Sequence, residues 1–287
     1  MRKLDDAMAN GLSAPAKAKG LSERGRSVLA AWVFSISTPW LAVAIFVLAD
    51  SKLSFASAFG VIVLGFFAAV LLARLGTALT LRLLLRRAMG RLKAAADEGD
   101  AVATRAAADA VKTFVPPALQ DFARAIDGLA LEAEERWGDC LATTTAIDVS
   151  KVGPADKLVF DDRRARALVH VGRAEEGLAI ANAVVDQARR SADPRLARYV
   201  ATLGVAQLHT GDPGSALASL DEGAAGAKSA FARERAAFHR GEALRALGRI
   251  EDARAAYERA IEVRSEGSWG RRARDRLSTL EAQPYRE

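Results

Sequence analysis

Cysteine and histidine are scarce in this chain of 287 residues. Cys140 is the single cysteine and there are three histidines, so neither an intramolecular disulfide nor a thiolate metal cluster is possible. The sequence also lacks a glycine-rich phosphate loop, a Gly-x-Ser-x-Gly elbow, a His-Glu-x-x-His motif and any Cys-x-x-Cys pair. We therefore expect no cofactor, no metal site and no enzymatic activity.

Aromatic residues are few as well, at 6% of the chain, and the net positive charge is modest at +6. Ala, Arg, Glu and Leu dominate the charged part of the sequence, a composition typical of an all-α structure. The surplus arginines cluster beside the most apolar region, so they indicate contact with lipid before they indicate contact with nucleic acid. No nucleic-acid partner is expected.

Charge is absent from two long stretches near the beginning of the sequence. Residues 27–49 and residues 53–73 contain no Asp, Glu, Lys or Arg, and only residues 50–52 separate them. At 1.5 Å per residue, each stretch forms a helix of roughly 30 Å, which matches the hydrocarbon core of a bilayer. The pattern predicts a transmembrane helical hairpin over residues 27–73. A buried hairpin in a soluble core is the alternative.

Basic residues flank both outer ends of this hairpin. Residues 1–26, expected to be a basic mobile tail, contain six Lys and Arg, and residues 74–93 contain six more, whereas the turn has Lys52 alone. By the positive-inside rule, both termini lie in the cytoplasm. The distribution predicts a two-pass protein of the bacterial inner (plasma) membrane.

The second apolar stretch and its continuation carry two predicted contact surfaces. Gly65, Ala69 and Ala73 recur every four residues and form a stripe where another helix can approach, either the first helix of the hairpin or a second copy of the chain. Residues 74–117 are expected to form a basic helix leaving the membrane, a turn at residues 98–100 and an Ala-rich helix. Three arginines of this segment are predicted to contact lipid headgroups: Arg82, Arg86 and Arg87.

The segment from residue 118 to residue 154 has apolar side chains at helical spacing as far as Asp148. This spacing predicts one long amphipathic helix. Cys140 lies on its apolar side and is expected to be a small core residue. Gly153 and Pro154 close the segment.

Residues 155–287 show internal self-similarity. The clearest unit has small, glycine and aromatic residues in a fixed order: Ala237, Gly241, Leu244, Gly248, Ala253, Tyr257 and Ala260. The preceding unit keeps the seven-residue spacing between two glycines: Gly204, Gln207, Gly211, Ala216 and Leu220. The earliest unit departs most from this order: Ala165, Leu168, Gly172, Gly177 and Ala181.

This order of residues resembles the tetratricopeptide repeat, in which each unit is a pair of antiparallel helices joined by a tight turn. Gly172, Gly211 and Gly248 are 39 and 37 residues apart, longer than the family's usual spacing of about 34. Residues 268–282 resemble the helix that caps such arrays, and residues 90–110 are a candidate for a further, decayed repeat. The whole chain is thus predicted to be an all-α, membrane-anchored protein in which a transmembrane hairpin and a helical linker precede a tetratricopeptide-like α-solenoid.

The resemblance implies a groove lined by the first helix of each unit, which in that family holds a peptide or helix of a partner protein. The positions corresponding to the groove face are Arg166, His170, Arg198, Val205, His209, Arg235, Phe238, Glu242 and Arg245. A basic groove with a few apolar members favours an acidic or carboxylate-terminated segment of the partner. The alternative is that these residues form an ordinary solvated face.

The leading functional hypothesis is a membrane-anchored scaffold that presents this groove to a partner protein at the cytoplasmic face of the membrane. In the alternative hypothesis, the chain is an accessory subunit of a membrane complex that assembles through the hairpin. A third hypothesis is a self-assembling, membrane-organising protein that uses the small-residue stripe and the basic segment after it.

Overall fold

The structure, a computed structural model, describes residues 24–35 and 55–282. All regular structure within these residues is helical and no strand occurs among them, which confirms the all-α prediction. Most of the predicted basic tail, the turn of the predicted hairpin and most of its first helix lie outside the described residues.

The helices follow one another with short connections. Helix α1 comprises residues 24–35. The others are α2 (Phe55–Glu98), α3 (Ala101–Lys112), α4 (Gln120–Ala133), α5 (Trp137–Thr145), α6 (Pro154–His170), α7 (Ala174–Arg190), α8 (Leu196–His209), α9 (Pro213–Ala225), α10 (Ala230–Ala246), α11 (Ile250–Val263) and α12 (Ser268–Ala282), with 3₁₀ turns at Pro117–Leu119 and Val149–Lys151. The chain divides into two compact units, one of Met1–Arg91 with Asp109–Gln120 and one of Leu92–Ala108 with Asp121–Glu287.

In the first unit, α2 carries the apolar stretch and continues past it without a break, as residues 74–93 predict. The segment Val63–Glu98 is long and apolar enough to cross a membrane, with a mean hydropathy of 1.9 over its most apolar window, and 11% of that window is buried. This is the one such segment among the described residues. Several large apolar side chains of α2 are exposed: Leu64, Phe66, Phe67, Val70, Leu71, Leu72, Leu75 and Leu79.

Helix α1 packs against α2 through a tryptophan. The indole Nε1 of Trp32 donates a hydrogen bond to Oγ1 of Thr80 at 3.2 Å, and the Trp32 ring lies over Gly76, where a Cβ atom would come within 2.7 Å of it. A residue larger than glycine at position 76 would therefore push the tryptophan away. Trp32 belongs to the first predicted apolar stretch, and this contact is the described part of its packing.

In the second unit, the helices from α6 to α12 pack in chain order, each against the next. Helices α6, α8, α10 and α12 also contact one another in succession, so they form one layer while α7, α9 and α11 lie on its other side. Three buried clusters run along the array, around Tyr199, Leu220 and Tyr257 respectively. The core is therefore continuous from α6 to α12, and each helix pair buries its apolar face on its neighbours.

The predicted turn glycines end helices α6, α8 and α10 in the left-handed region that glycine adopts most easily. Gly172, Gly211 and Gly248 have φ values of 84°, 85° and 74°. After α10, the Gly248 amide donates to the Arg245 carbonyl at 3.0 Å and the Arg249 amide to the Leu244 carbonyl at 2.9 Å. These two bonds make up a Schellman motif, which satisfies carbonyl groups that the end of a helix leaves unpaired.

Glycines also set how closely the two helices of a pair approach. A Cβ on Gly241 would lie 2.5 Å from the ring of Tyr257, and one on Gly204 would lie 2.8 Å from Leu220. Both tyrosine and leucine are buried on the second helix of their pair. The antiparallel packing that the repeat pattern predicts therefore depends on the absence of a side chain at these two positions.

The structure divides residues 118–154 into α4 and α5 instead of the single long helix that the sequence predicted. Glu135 has a φ of 58°, its amide donates to the Glu132 carbonyl at 3.1 Å, and the Arg136 amide donates to the Leu131 carbonyl at 2.9 Å. These bonds form the same Schellman motif, with a glutamate where the other turns have glycine. The apolar periodicity runs across the break, because both helices bury one face, and so it conceals the turn.

The first and last parts of the second unit contact each other. Arg264, which follows α11, donates to the carbonyl of Glu98, and the ring of Phe231 occupies the space where Gly99 lacks a side chain. Arg272 of α12 pairs with Glu135 in the turn between α4 and α5. These contacts join segments more than a hundred residues apart, so the helical array is closed by contacts between its ends.

Candidate functional site

Four of the nine predicted groove residues line one cleft of about 430 Å³ in the second unit. They are His170 of α6, His209 of α8, and Phe238 and Glu242 of α10. Six further residues complete the lining: Leu208, His239, Trp269, Arg272, Asp275 and Arg276. All three histidines of the chain therefore lie in this region, which is called the histidine cleft below.

Five of the ten residues that line the histidine cleft carry aromatic rings. His170 stacks on Trp137 with ring centroids 4.0 Å apart and planes 13° from parallel, and it meets His209 edge-on at 6.0 Å. On the other side, Trp269 lies 5.2 Å from Phe238 and 4.8 Å from His239. Ring pairs at these distances and tilts attract one another, so the wall is held in place by its own contacts.

The histidines of the cleft are uncharged near neutral pH. Burial, together with the charges of His209, Arg166, Arg272 and Arg235, lowers the pKa of His170 to about 4. Burial also lowers the pKa of His209, and it lowers that of His239 well below the ordinary value. The imidazoles therefore offer neutral ring faces and hydrogen-bonding nitrogens, not positive charge.

At the rim of the cleft, Glu242, Arg272 and Arg276 are already paired, whereas Asp275 has no ion-pair partner among the described residues. Glu242 accepts hydrogen bonds from the Tyr257 hydroxyl at 2.5 Å, from Arg276 at 2.9 Å and from Arg245 at 3.3 Å. Arg272 pairs with Glu135 and lies over the ring of Trp269 at 4.5 Å. A ligand that enters the cleft therefore contacts aromatic rings that lie beside ion-paired side chains.

Beside the cleft lies an arginine cluster that consists of Arg163, Arg166, Arg198 and Arg235 around two carboxylates, Glu132 and Asp162. Glu132 of α4 pairs with Arg163 at 3.1 Å and with Arg166. Asp162 pairs with Arg166 at 2.8 Å and with Arg198 at 3.1 Å. Burial alone would raise the pKa of Glu132, but the charges of Arg166 and Arg163 outweigh it and lower that pKa to about 2.

The arginine cluster contains more positive than negative charge. Among the described residues, no carboxylate lies within salt-bridge distance of Arg235, whose guanidinium sits 5.9 Å over the ring of Phe231. Burial and the neighbouring charge of Arg166 lower the pKa of Arg235 to about 10, and the same two causes lower that of Arg198. An additional anion near these two half-buried arginines would relieve this repulsion.

Three predicted groove residues lie elsewhere than a groove surface would require. Val205 is buried at 8% exposure in the core cluster with Val169 and Leu220, so it packs the array instead of facing a ligand. Arg166 is buried at 6% and held by two carboxylates. Arg245 is exposed and reaches a possible ligand only through Glu242.

Sequence reasoning missed several residues of the site. Trp269, Arg272 and Arg276 come from the helix that was expected to be a polar cap. His239 precedes the turn glycine Gly248 by nine residues and shows no repeat counterpart. Glu132 could have been found, because Gly128 and Glu135 have the seven-residue spacing of Gly204 with Gly211 and Gly241 with Gly248. That spacing marks α4 and α5 as a further helix pair.

The histidines and the neighbouring acids are not arranged as ligands of a metal ion in the described residues. Within residues 24–35 and 55–282, no group of three or more His, Cys, Asp and Glu side chains has a geometry that could hold a metal ion. Cys140 is fully buried, its Sγ lies 3.5 Å from the carbonyl of Gly128, and burial followed by the charge of Glu132 raises its pKa to about 11. A thiol in this state is a core residue, not a nucleophile.

The predicted membrane residues lie on α2. Gly65 and Ala69 are half-buried and Ala73 is buried, whereas Phe66, Phe67 and their neighbours are exposed. The stripe is therefore on the covered side of the helix. The predicted headgroup residues Arg82, Arg86 and Arg87 are all exposed.

Comparison with known proteins identifies no relative. No protein-family model matches the chain, and no curated protein or solved structure matches it. The histidine cleft and the arginine cluster are therefore the observations on which a function can be argued.

Proposed function

We propose that this protein is a membrane-anchored interaction module whose tetratricopeptide-like array binds a segment of a partner protein. The observation that carries the proposal is the histidine cleft, where residues from four successive helices of one layer converge. A concave, mostly apolar site with a few polar groups is the usual form of a binding site. A binding role, and not a catalytic one, fits a site whose histidines are neutral and in which Glu242, Arg272 and Arg276 are ion-paired.

The regularity of the turns supports a tetratricopeptide-like assignment. The first helix of each pair ends at a residue in the left-handed region: Gly99, Glu135, Gly172, Gly211 and Gly248. Ala192, which is also in that region, follows α7, the second helix of its pair. The intervals between the five residues that end the first helices are 36, 37, 39 and 37 residues, so the array comprises five helix pairs followed by α12. The first pair consists of the end of α2 with α3, and it corresponds to the decayed repeat considered for residues 90–110.

The charge of the arginine cluster supports an acidic partner. Four guanidinium groups surround two carboxylates there, and Arg198 and Arg235 carry the surplus. A carboxylate of the partner at this place would complete the pairing, and complementary charge of this kind selects partners and speeds their encounter. The partner segment is therefore acidic.

The anchor in this proposal is a two-helix transmembrane hairpin with both termini in the cytoplasm of a bacterial inner membrane. The apolar side chains exposed along α2 and the basic residues that follow them support it. Because α2 continues into the first helix pair of the array, anchor and array share one helix. Tethering in this way raises the local concentration of the binding site at the membrane surface without any additional contact.

Site-specific photo-crosslinking in cells that express the full chain tests this proposal. A photoreactive residue replaces the exposed rim residues His209 or Arg276, and Arg259, which is exposed on α11, is the matched control. We expect one covalent adduct from both rim positions, none from position 259, and loss of the adduct when Arg198→Gln is combined with Arg235→Gln. Equal adducts from all three positions, or an adduct that survives the double substitution, would refute binding at this site.

An alternative function uses the hairpin itself, either to assemble the chain as an accessory subunit of a membrane complex or to assemble copies of it. This alternative rests on the small-residue stripe of α2, since such stripes let helices approach closely in lipid, although Ala73 of the stripe is already buried within the chain. Replacement of Gly65 and Ala69 by Leu, followed by measurement of the assembly size in detergent, separates the two functions. Under the alternative the assembly falls apart, and under the leading proposal its size is unchanged.

A further inference from the structure

The histidine cleft constrains the chemistry of whatever it binds, and this step rests on the interaction function proposed above. Its volume of about 430 Å³ is near the lower end of the range for ligand sites. A cleft of this size holds one or two side chains, not a helix. The group that enters it is therefore a small part of the partner.

The walls favour a flat group without negative charge. Five of the lining residues carry rings: His170, His209, Phe238, His239 and Trp269. Aromatic side chains gain additional stabilisation from edge-to-face and offset contacts with such rings. A negatively charged group would lose hydration here without finding an unpaired positive charge, because Arg272 and Arg276 already pair with Glu135 and Glu242.

The surroundings of the cleft favour acidic residues on either side of that group. Arg235 lies one helical turn before His239 on α10, and Arg166 lies one turn before His170 on α6, so the arginine cluster borders the cleft. A free aromatic compound would use the rings alone, whereas a peptide can use the rings and the arginines together. Charge complementarity therefore points to a peptide.

We propose that the histidine cleft receives one aromatic side chain of an acidic peptide segment of the partner, with a neighbouring carboxylate of the segment directed to Arg235 and Arg198. The ring inserts between His170 and the Phe238–Trp269 pair. The acidic residue supplies the negative charge that the arginine cluster lacks. Recognition thus requires both an aromatic and an acidic residue.

Because the chain has three histidines and all of them line the cleft, their imidazole signals report on this site alone. The full chain, solubilised in detergent and labelled with ¹³C-histidine, is titrated with acetyl-Glu-Asp-Phe-Glu-Asp amide. The matched probe replaces Phe by Ala. We expect the Phe peptide to shift the signals of His170 and His239 to saturation, and the Ala peptide to bind about tenfold more weakly or worse, which is about 1.4 kcal/mol.

Two variants keep the proposal testable without disturbing the core. His209→Ala removes an exposed ring of the cleft and is expected to weaken the Phe peptide several-fold, whereas Arg259→Ala on the far helix α11 leaves binding unchanged. Equal affinities of the Phe and Ala peptides would overturn the aromatic requirement, as would signals that neither peptide shifts. If the same signals shift in a Tyr285→Ala chain without peptide, the occupant is a segment of the same chain and the proposal fails.

Failure of this inference can be told apart from failure of the interaction function. If crosslinking from the rim captures a partner while the Phe and Ala peptides bind alike, the module binds its partner by charge alone. If crosslinking captures nothing from the rim, the interaction function itself is refuted.

Discussion

The carboxylate of Glu132 on α4 is paired with the guanidinium of Arg166 on α6, and both side chains are buried. Arg166 had been expected to face an acidic partner, and the chain supplies that acid itself. Because Glu132 and Asp162 together use Arg163, Arg166 and part of Arg198, the charge left for a partner is at Arg198 and Arg235. The arginine cluster is therefore structural at one end and open at the other.

This division predicts that the same substitution, Arg→Gln, has a large effect on stability at one position and a small effect at another. Arg166→Gln leaves Glu132 and Asp162 short of a buried partner and should lower the free energy of unfolding by about 3–5 kcal/mol. Arg235→Gln removes a guanidinium that has like charges around it and should change stability by less than about 1 kcal/mol. Denaturant unfolding of both variants in detergent, with Arg259→Gln as an exposed control, measures the difference. Equal losses at positions 166 and 235 would contradict the assignment.

Acidification is predicted to destabilise the second unit through His170. The pKa of His170 is about 4 in the folded state, with His209, Arg166, Arg272 and Arg235 around it, whereas an unfolded histidine has a pKa near 6.5. The unfolded chain therefore binds a proton that the folded chain does not, so stability is complete above about pH 6.5 and is lost as the pH falls toward 4.

The shifted pKa of His170 alone should make the free energy of unfolding about 1–2 kcal/mol lower at pH 5 than at pH 7.5. Thermal unfolding of the full chain at both pH values measures this loss, and His170→Gln should reduce it. The folded-state pKa of Glu132 is depressed to about 2. Its stabilising effect is therefore complete above about pH 4.5 and is lost as the pH falls below that value, so Glu132 adds to the pH dependence of stability only there. A pH dependence unchanged by His170→Gln would contradict the prediction.

Gly241→Ala is predicted to destabilise the helix pair formed by α10 and α11. The new Cβ would lie 2.5 Å from the ring of Tyr257, which is fully buried and bonded to Glu242, so the ring cannot move freely. The expected loss is about 1–3 kcal/mol, as for other overpacked cores. Gly138→Ala in α5 is the matched control, since nothing lies within 4 Å of its Cβ, and it should be neutral or slightly stabilising. Urea unfolding midpoints of the two variants measure the difference, and a midpoint for Gly241→Ala no lower than that for Gly138→Ala would contradict the prediction.

Whether the sequence predicts a given turn of this fold depends on whether glycine stands at that turn. Gly211 and Gly248 mark their turns openly, because glycine is the residue expected where φ is positive, and the turn at residues 98–100 was visible for the same reason. The turn after α4 was missed because Glu135 takes that conformation in place of glycine. Its helix pair also has Thr144 where the clearest repeat has Tyr257, so the aromatic signal is absent too.

The candidate site was predictable only where it depends on helical spacing. Spacing placed His170, His209, Phe238 and Glu242 on one face, and the structure brings them into one cleft. Spacing along a helix carries no information on which distant segment meets that face. Arg166 pairs with Glu132, which is 34 residues away in sequence, and Trp269 approaches Phe238, which is 31 residues away. Both contacts arise from packing between different helices. These contacts separate the structural part of the face from its open part.

The burial of Cys140 allows the predicted topology to be tested with a clean background. This thiol is fully buried and its pKa is raised to about 11, so a membrane-impermeant maleimide should label it only after denaturation. Ser278→Cys, on the exposed side of α12, then provides the only accessible thiol in the folded chain. Under the proposed topology it reacts in lysed cells and not in intact spheroplasts, because basic residues on both sides of the predicted hairpin would retain the array in the cytoplasm. Reaction in intact spheroplasts would place the array outside the cytoplasm, and partners would then have to be sought among proteins of the cell envelope. The native Cys140, unreactive in both samples until denaturant is added, is the internal control that the array stayed folded.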